Sequence, residues 1–136
     1  MTRLSETIEA FLAEISIGVV GASRSRDKYG YLVFNALRSA GYGAYPVNPN
    51  AEEIDGVPCL GSVADLPSQV AAIVIITPPE ISELAVEMAI VHGMRHIWMQ
   101  PGSESAKAIE LANSAGISVI SGGPCILVAL KSRKAS

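Results

Sequence analysis

The fold is decided by residues 15–30, which read ISIGVVGASRSRDKYG. The first six residues are dense in β-branched side chains without strict polar alternation, a pattern typical of a central parallel strand covered on both faces. Gly21 ends this strand, and a helical stripe begins at Val33. A strand, a glycine-containing loop and a helix in this order predict the first unit of an open α/β sheet.

The alternation of strand and helix continues on both sides of this stretch. Upstream, Leu4, Ile8, Phe11, Leu12 and Ile15 fall on one face at a spacing of 3.6 residues, which predicts an amphipathic opening helix. Downstream, strands are predicted at residues 44–47, 70–77, 95–99 and 116–120, with helical stripes between them. Repeated units of this kind require right-handed crossovers and a parallel sheet. The predicted fold is a Rossmann-like α/β domain: an open, mostly parallel five-stranded sheet with helices on both faces, in three layers (α/β/α).

Two segments follow this pattern less regularly. Residues 52–59 contain Asp55-Gly56, a turn dipeptide, and are predicted to lead into a short edge strand. The segment after residue 120 is predicted to be short and irregular.

Length and composition fit one domain that spans residues 1–136. With 49% apolar and 17% charged residues the chain can bury a core and is not of the disordered class. A net charge of −3 gives no general attraction to nucleic acid or to an anionic membrane. No apolar run approaches the roughly 20 residues of a membrane span, and the start lacks the apolar stretch of a secretory signal. Its two cysteines fit neither a disulfide framework nor a metal cluster, so we expect a cytoplasmic protein without a metal site.

Open sheets of this kind bind ligands beyond the carboxyl ends of their strands. Functional residues are therefore expected in the loops at residues 21–31, 47–50, 77–80 and 100–105, with residues 121–125 as a further candidate.

The first of these loops has the character of a phosphate site. Residues 21–30 combine a glycine at the strand end, two serine hydroxyls and three cations ahead of a helix. Backbone amides at a helix N-terminus attract anions, and nearby Arg and Lys add charge-assisted hydrogen bonds to phosphate oxygens. The alternative is a solvated basic surface loop. The position directly after the first strand favours phosphate binding.

The dinucleotide fingerprint Gly-x-Gly-x-x-Gly is absent from this loop. Ser23 stands where the second glycine would be, and the second strand ends in residues 47–50 (VNPN) without the carboxylate that accepts from a ribose hydroxyl. A carboxylate there would repel a ribose phosphate. Its absence beside Arg24, Arg26 and Lys28 favours a ligand with a phosphorylated ribose, which both coenzyme A (CoA) and NADP have.

Four motifs at the predicted strand ends resemble a known family, the small CoA-binding proteins, whose domain is also the CoA-binding domain of succinyl-CoA synthetase α subunits. The motifs are VGAS at residues 20–23, PVNP at 46–49, TPP at 77–79 and WMQPG at 98–102, and the resemblance covers residues 15–127. It implies a protein that binds CoA or an acyl-CoA as a non-catalytic carrier, sensor or regulatory module.

The resemblance also implies which residues form the site. Gly21, Ala22, Ser23 and the basic residues after them would meet the phosphates, and residues 48–49 and 77–79 would flank the adenosine. Turn chemistry accounts for the prolines equally well. The predicted CoA-binding residues are Gly21, Ala22, Ser23, Arg24, Arg26, Lys28, Tyr29, Val47, Asn48, Pro49, Thr77, Pro78, Pro79, Gln100 and Gly102.

The chain departs from the family pattern in two places. The family often has a lysine after Asn-Pro, whereas Asn50 occupies that place here, so one phosphate contact is missing or is supplied by Lys28. Many small members carry an Asp-Arg-Cys-like segment near the carboxyl terminus, where this chain has GGPC at residues 122–125.

Few residues have the character of catalytic groups, and no catalytic residue is assigned. His92 and His96 have no evident acidic partner or metal-ligand spacing and fit helix-end and surface roles. Cys125 could form a mixed disulfide with the CoA thiol, but a buried small hydrophobe is favoured. Trp98 is expected in the core. The phosphorylated histidine of succinyl-CoA synthetase lies in a further domain, so ligase activity is not implied and a non-enzyme is expected.

Two alternative functions remain open. One is a small NADP-dependent reductase or an acyl-CoA-handling enzyme, although a reductase needs a proton donor pair and no Tyr-x-x-x-Lys spacing occurs. The other is a partner-docking module with a vestigial nucleotide site that uses the opening helix or the basic tail at residues 131–134. The sequence names no protein partner.

Overall fold

The computed structural model describes residues 4–135 and the side chains of residues 4–133. It shows a parallel β-sheet between two layers of helices. The strands are β1 (Ser16–Val20), β2 (Gly43–Val47), β3 (Glu53–Ile54), β4 (Val57–Pro58), β5 (Ala72–Ile75), β6 (His96–Met99) and β7 (Ser118–Ile120). The helices are α1 (Leu4–Leu12), α2 (Tyr29–Ser39), α3 (Pro79–His92), α4 (Ala106–Ser114) and α5 (Ile126–Ala135), with a 3₁₀ turn at Val63–Asp65.

The order of the main sheet places a switch point beside β1. Its five strands lie in the order β2-β1-β5-β6-β7, and every neighbouring pair is parallel. The chain leaves β1 in one direction to form β2 and returns to the other side of β1 to form β5. The loops after β1 and β5 therefore part in opposite directions, which opens a crevice at the carboxyl ends of the strands.

The two faces of the sheet carry separate apolar layers. Val74 and Trp98 point towards α1, α2 and α5, whereas Ile73, Ile75 and Met99 pack with residues of α3 and α4. All five side chains are fully buried. Because successive residues of a strand face opposite sides, one apolar run supplies both layers. The predicted three-layer α/β/α fold is confirmed, as is the core position of Trp98.

The segment around Asp55 forms a separate hairpin. Strands β3 and β4 pair antiparallel in a two-stranded sheet of their own, so the predicted turn and the short strand after it are present, but this strand does not join the main sheet. Asp55 has a φ of 50°, as the first residue of a tight hairpin turn requires. The main sheet is reached only afterwards, when Leu60 forms a single parallel bridge with Val47. The turn dipeptide thus directs the chain back on itself before it returns to the sheet.

The carboxyl-terminal segment is helical, which corrects the expectation of a short irregular end. Helix α5 runs from Ile126 to Ala135, with Ile126 and Leu130 buried one turn apart against the same layer as α2. Their burial stabilises the helix, since a large apolar side chain contributes about 1.5–3 kcal/mol when fully buried. The side chain of Arg133 bonds to Glu9 of α1 at 2.7 Å, so part of the basic tail is used within the molecule.

The opening helix ends before the last residue of its predicted apolar face. Helix α1 stops at Leu12, and Ile15 is 80% exposed, so its assignment to that face was wrong. Phe11 is fully buried and meets the rings of Trp98 and His96 edge to face at 5.2 and 6.2 Å. The opening helix is therefore anchored to the sheet through aromatic contacts.

None of the helices described between residues 4 and 135 has the length and apolar character that crossing a bilayer requires.

His96 has an acidic partner that the sequence did not reveal. Its Nε2 atom lies 3.4 Å from Glu14 Oε2, while only 14% of the side chain is exposed. Burial lowers the pKa of His96 below its usual 6.5, although the Glu14 carboxylate opposes the shift. The folded state consequently favours the neutral imidazole.

The pH dependence of stability should reveal this burial. Residue His96 binds its proton more readily in the unfolded chain than in the folded protein. The stability gained by burying the neutral His96 ring is therefore present above about pH 6.5 and is lost as the pH falls through the lowered pKa. We expect the wild type to lose more unfolding free energy than His96→Gln between about pH 7.5 and 5.5, measured by urea denaturation. Parallel pH profiles for the two proteins would contradict this assignment.

Candidate functional site

A cavity of about 310 Å³ lies at the switch point of the sheet, beyond the carboxyl ends of β1, β2 and β5. The loops after these strands and the first turns of α3 form its walls. The lining residues are Val20, Gly21, Ala22, Ser23, Val47, Asn48, Pro49, Gly61, Ser62, Val63, Thr77, Ile81, Leu84, Ala85 and Met88. This is the position at which open α/β sheets bind their ligands.

Gly21 allows the loop after β1 to enter the crevice. Its N–H donates to the carbonyl oxygen of Val47 at 3.1 Å, and its φ of 95° is readily adopted only by glycine. A Cβ at this position would lie 2.7 Å from the carbonyl oxygen of Ile76. A side chain here would therefore force the loop away from the end of β5.

Gly30 seats α2 against the same loop. A Cβ on Gly30 would overlap the carbonyl oxygen of Gly21 and lie 3.0 Å from the backbone nitrogen of Ser23. The amino terminus of α2 carries no side-chain cap, because Lys28 at the N-cap makes no such hydrogen bond. The partial positive charge of the helix is thus directed at the loop around Ser23.

Asn48 joins the loops after β1 and β2. Its Nδ2 atom donates to the carbonyl oxygen of Ala22 at 2.9 Å, and its Oδ1 atom accepts from the backbone N–H of Asn50 at 2.7 Å. The backbone N–H of Asn48 donates in turn to Leu60 at 2.9 Å. Asn48 consequently holds one side of the cavity rigid, with Pro49 beside it.

The opposite wall is apolar and partly open to solvent. Ile81, Leu84 and Met88 follow one another along one face of α3, and Ile81 and Leu84 are 48% and 52% exposed. At the start of this wall the hydroxyl of Thr77 shares a hydrogen bond with Ser82 at 2.8 Å. Apolar side chains left exposed at the mouth of a cavity are suited to the flat or aliphatic parts of a ligand.

A second cavity of about 580 Å³ extends from the basic loop towards the β3–β4 hairpin. It is lined by Arg24, Arg26, Asn50, Glu52, Glu53, Ile54, Asp55 and Gly56. Its charges therefore have both signs, with the arginines on the loop and the carboxylates on the hairpin.

Arg26 is already engaged in this polar cavity. Its guanidinium lies 3.4 Å from Asp55 Oδ1 and 5.1 Å from the centre of the Tyr31 ring. The Tyr31 hydroxyl donates to the other carboxylate oxygen of Asp55 at 2.6 Å. This hydrogen bond, together with desolvation, raises the pKa of Tyr31. Arg24 has no ion-pair partner within residues 4–135.

The structure brings together most of the predicted site residues but not all of them. Seven line the strand-end cavity: Gly21, Ala22, Ser23, Val47, Asn48, Pro49 and Thr77. Arg24 and Arg26 line the polar cavity. Lys28, Tyr29, Pro78 and Pro79 start the adjoining helices α2 and α3 without lining either cavity, and Tyr29 is 62% exposed.

Gln100 and Gly102 lie after β6, outside both cavities. The buried Gln100 side chain accepts from the backbone N–H of Ile126 at 2.7 Å and donates to Cys125 Sγ at 3.3 Å. Gly102 donates to Glu104 at 2.7 Å. Gln100 thus fastens the start of α5, and Cys125 is a half-buried hydrogen-bond acceptor rather than the predicted buried hydrophobe.

The histidines do not face the strand-end cavity. His92 Nε2 lies 3.1 Å from the carbonyl oxygens of Leu66 and Pro67, and His96 packs beside Glu14 and Phe11. Within residues 4–135 no three His, Cys, Asp or Glu side chains are grouped to hold a metal ion.

Sequence reasoning missed the apolar wall and the acidic hairpin. Ile81, Leu84 and Met88 have the spacing of a core stripe, and periodicity does not distinguish a core from the edge of a cavity. Asp55 lies 29 residues from Arg26, and only its position in a turn dipeptide was visible.

A larger apolar groove of about 750 Å³ lies between α2 and α5, with Leu32, Ala36 and Leu127 among its lining residues. It is away from the strand ends and contains none of the predicted site residues. The strand-end cavity is therefore the better candidate for a ligand site.

Comparisons with known proteins find relatives along most of the chain. A CoA-binding domain family matches residues 15–131. The α subunit of an ADP-forming acetate–CoA ligase II from Pyrococcus furiosus is 30% identical over 130 residues, covering 88% of this chain and 28% of that subunit. An ADP-forming acetate–CoA ligase I from Archaeoglobus fulgidus is 28% identical over 114 residues, covering 76% and 17%. This chain thus spans less than a third of the length of these relatives.

Solved structures share the fold over most of the chain. A conserved hypothetical protein from Pyrococcus furiosus has a TM-score of 0.80 at 38% identity, covering 84% of this chain and 97% of that one. A hypothetical protein from Pyrococcus horikoshii OT3 has a TM-score of 0.89 at 27% identity, covering 99% and 94%. A dinucleotide-forming acetyl-coenzyme A synthetase 1 from Ca. Korarchaeum cryptofilum, in complex with phosphate and ADP, has a TM-score of 0.70 at 28% identity, covering 79% and 25%.

The packing of Gly30 against the loop can be tested by Gly30→Ala. The new methyl group would overlap the backbone of Gly21, so we expect a loss of about 2–3 kcal/mol of unfolding free energy, which outweighs the roughly 1 kcal/mol that alanine gains over glycine in a helix. The measurement is urea denaturation. Gly43→Ala is the matched control, because its Cβ would meet other atoms no closer than 3.5 Å. Equal stabilities of the two variants would contradict the close approach.

Proposed function

This chain belongs to the family of CoA-binding domains, and from that premise we propose that it binds CoA or an acyl-CoA at the switch point of its sheet as a carrier, sensor or regulatory module. The observation that carries the proposal is the cavity between the loops after β1, β2 and β5, with a glycine loop on one side and an apolar wall on the other. CoA has matching parts: its diphosphate lies between the adenosine and the largely aliphatic pantetheine arm.

The diphosphate is placed at the loop of residues 21–23. Its charge would be met by the backbone amides of Ala22 and Ser23 and by the uncapped amino terminus of α2, whereas the amide of Gly21 is bonded to Val47. The close packing of Gly21 and Gly30 supports this placement, because it seats the amino terminus of α2 directly against the loop.

The adenosine is placed between the β2 end and the wall formed by α3. Pro49 and Thr77 lie on the two sides of the cavity, and Ile81, Leu84 and Met88 offer an apolar surface along it. The ribose then lies towards the polar cavity beyond β2, which Asn50 lines together with Arg24 and Arg26. A nearby arginine is the usual means of accommodating a ribose phosphate at this position.

The positions of both histidines and of Cys125 support a binding role over catalysis. The Nε2 atom of His92 faces backbone carbonyls, and His96 is packed beneath α1. Cys125 lies against Gln100 at the start of α5. None of these three groups lines the strand-end cavity, and general acid–base catalysis requires a group within hydrogen-bond reach of the reacting atoms.

The relationship to acetate–CoA ligases is compatible with action beside another chain. The named relatives are much longer, and this chain corresponds to a minor part of each. We propose that the domain holds CoA for a partner that carries out any chemistry.

Ligand preference is the first measurement for this function. We expect isothermal titration at a fixed salt concentration to give tighter binding of CoA than of dephospho-CoA, NADP or NAD, because only CoA combines the diphosphate, the ribose phosphate and the pantetheine arm. Comparison with acetyl-CoA shows whether the thiol end contributes. Tighter binding of NADP would favour the reductase alternative, and no binding of any of the five ligands would favour the partner-docking module.

The apolar wall gives a second test through Leu84→Ser. Loss of the exposed part of this side chain from the cavity should weaken CoA binding about tenfold, because ligand contacts with apolar surface are lost. Val91→Ser is the matched control: it lies on the same helix, is 89% exposed and does not line the cavity. Equal CoA affinities of the two variants in isothermal titration would remove α3 from the site.

A further inference from the structure

The cluster formed by Arg26, Asp55 and Tyr31 lies beside the proposed ribose position, yet its carboxylate opposes an anionic ligand. On the premise that CoA binds as proposed above, we infer that the ribose phosphate occupies the polar cavity and forms an ion pair with Arg26 that replaces the Arg26–Asp55 ion pair. Asp55 then competes with the phosphate for Arg26, and this competition sets the affinity of the site for a phosphorylated ribose.

The geometry holds Asp55 more firmly than it holds Arg26. The Tyr31 hydroxyl donates to Asp55 at 2.6 Å, and Tyr31 itself is buried in α2. Asp55 also lies in the tight turn of the hairpin, at a φ of 50°. The carboxylate is therefore fixed by a side chain and by the backbone.

Arg26 can leave this position readily. Its side chain is 75% exposed, its contact with Asp55 is 3.4 Å long and involves one nitrogen, and a further contact is with the Tyr31 ring at 5.1 Å. Exposed ion pairs of this kind contribute little to stability. A phosphate offers several charged oxygens and can bind a guanidinium through two parallel hydrogen bonds, so the exchange is favourable.

The cavity around the pair offers two arginines to a phosphate monoester on a ribose, opposite the carboxylates of Glu52, Glu53 and Asp55. Arg24, Arg26 and Asn50 line one cavity at the end of β2, where nucleotide-binding sheets place the ribose. Arg24 has no ion-pair partner within the described chain, so it can bind the phosphate without first breaking an ion pair. Arg26 adds a second cation once it has left Asp55.

A double-mutant cycle tests the exchange. Asp55→Asn keeps an oxygen that accepts from Tyr31 but removes the charge that competes for Arg26. By isothermal titration we expect this variant to bind CoA about five times more tightly than the wild type, with a change below about twofold for dephospho-CoA. In the Arg26→Ala background the same substitution should change CoA affinity by less than about twofold.

Glu53→Gln is the matched control. Glu53 is another carboxylate of the hairpin that lines the cavity, but it makes no ion pair with Arg26. We expect a gain in CoA affinity below about twofold, since only the general charge of the cavity changes. A gain equal to that of Asp55→Asn would overturn the specific competition, as would a gain that persists without Arg26 or is equal for dephospho-CoA.

The failure of this inference and the failure of the proposed function have different signatures. If the wild type binds CoA but the cycle shows no coupling between Asp55 and Arg26, only the exchange is overturned. If the wild type binds neither CoA nor dephospho-CoA, the proposed function fails and the exchange fails with it. The substitution Arg26→Gln tests the exchange without changing the sequence of the hairpin. It should reduce the ratio of CoA affinity to dephospho-CoA affinity, because it removes a cation proposed to bind the ribose phosphate.

Discussion

Three backbone segments meet at Gly21, and the candidate site depends on how closely they approach one another. The N–H of Gly21 is bonded to the end of β2, while the space that a Cβ would need is taken by the backbone after β5. The carbonyl of Gly21 in turn lies against Gly30, the second residue of α2. One residue therefore determines the path of the loop, the seat of the helix and the shape of the cavity between them.

The two cavities beside this crossing differ in chemistry because they are bounded by different elements. The strand-end cavity is closed by α3, whose first turns present apolar side chains to solvent. The polar cavity is closed by the β3–β4 hairpin and Glu52 just before it, which together place three carboxylates opposite two arginines. A ligand that extends from one cavity into the other would meet apolar side chains in the first and charged groups of both signs in the second.

The net charge of the chain says little about this arrangement. The chain has a net charge of −3, yet its basic loop is placed at the site by the first strand and the helix that follows. Arg26 shows how a local cation can be neutralised inside the molecule, since Asp55 reaches it from a hairpin 29 residues away. Charge at such a site depends on which elements the fold brings together, and residue counts do not report it.

The sequence by itself determined the five strands of the main sheet, their parallel direction and three of the loops that adjoin the cavities, at residues 21–31, 47–50 and 77–80. Runs such as residues 70–77 are apolar on both faces, and a glycine or proline follows each strand, so local patterns were enough to locate the carboxyl ends. The tertiary structure alone decided the pairing of Arg26 with Asp55, the exposure of Leu84 at the cavity and the attachment of Gln100 to the start of α5. Helix α5 was missed although Ile126 and Leu130 have helical spacing. Periodicity and turn propensity depend on a few neighbouring residues. The contacts of Arg26 with Asp55 and of Gln100 with Ile126 join residues more than 20 positions apart, and their positions depend on how the layers stack.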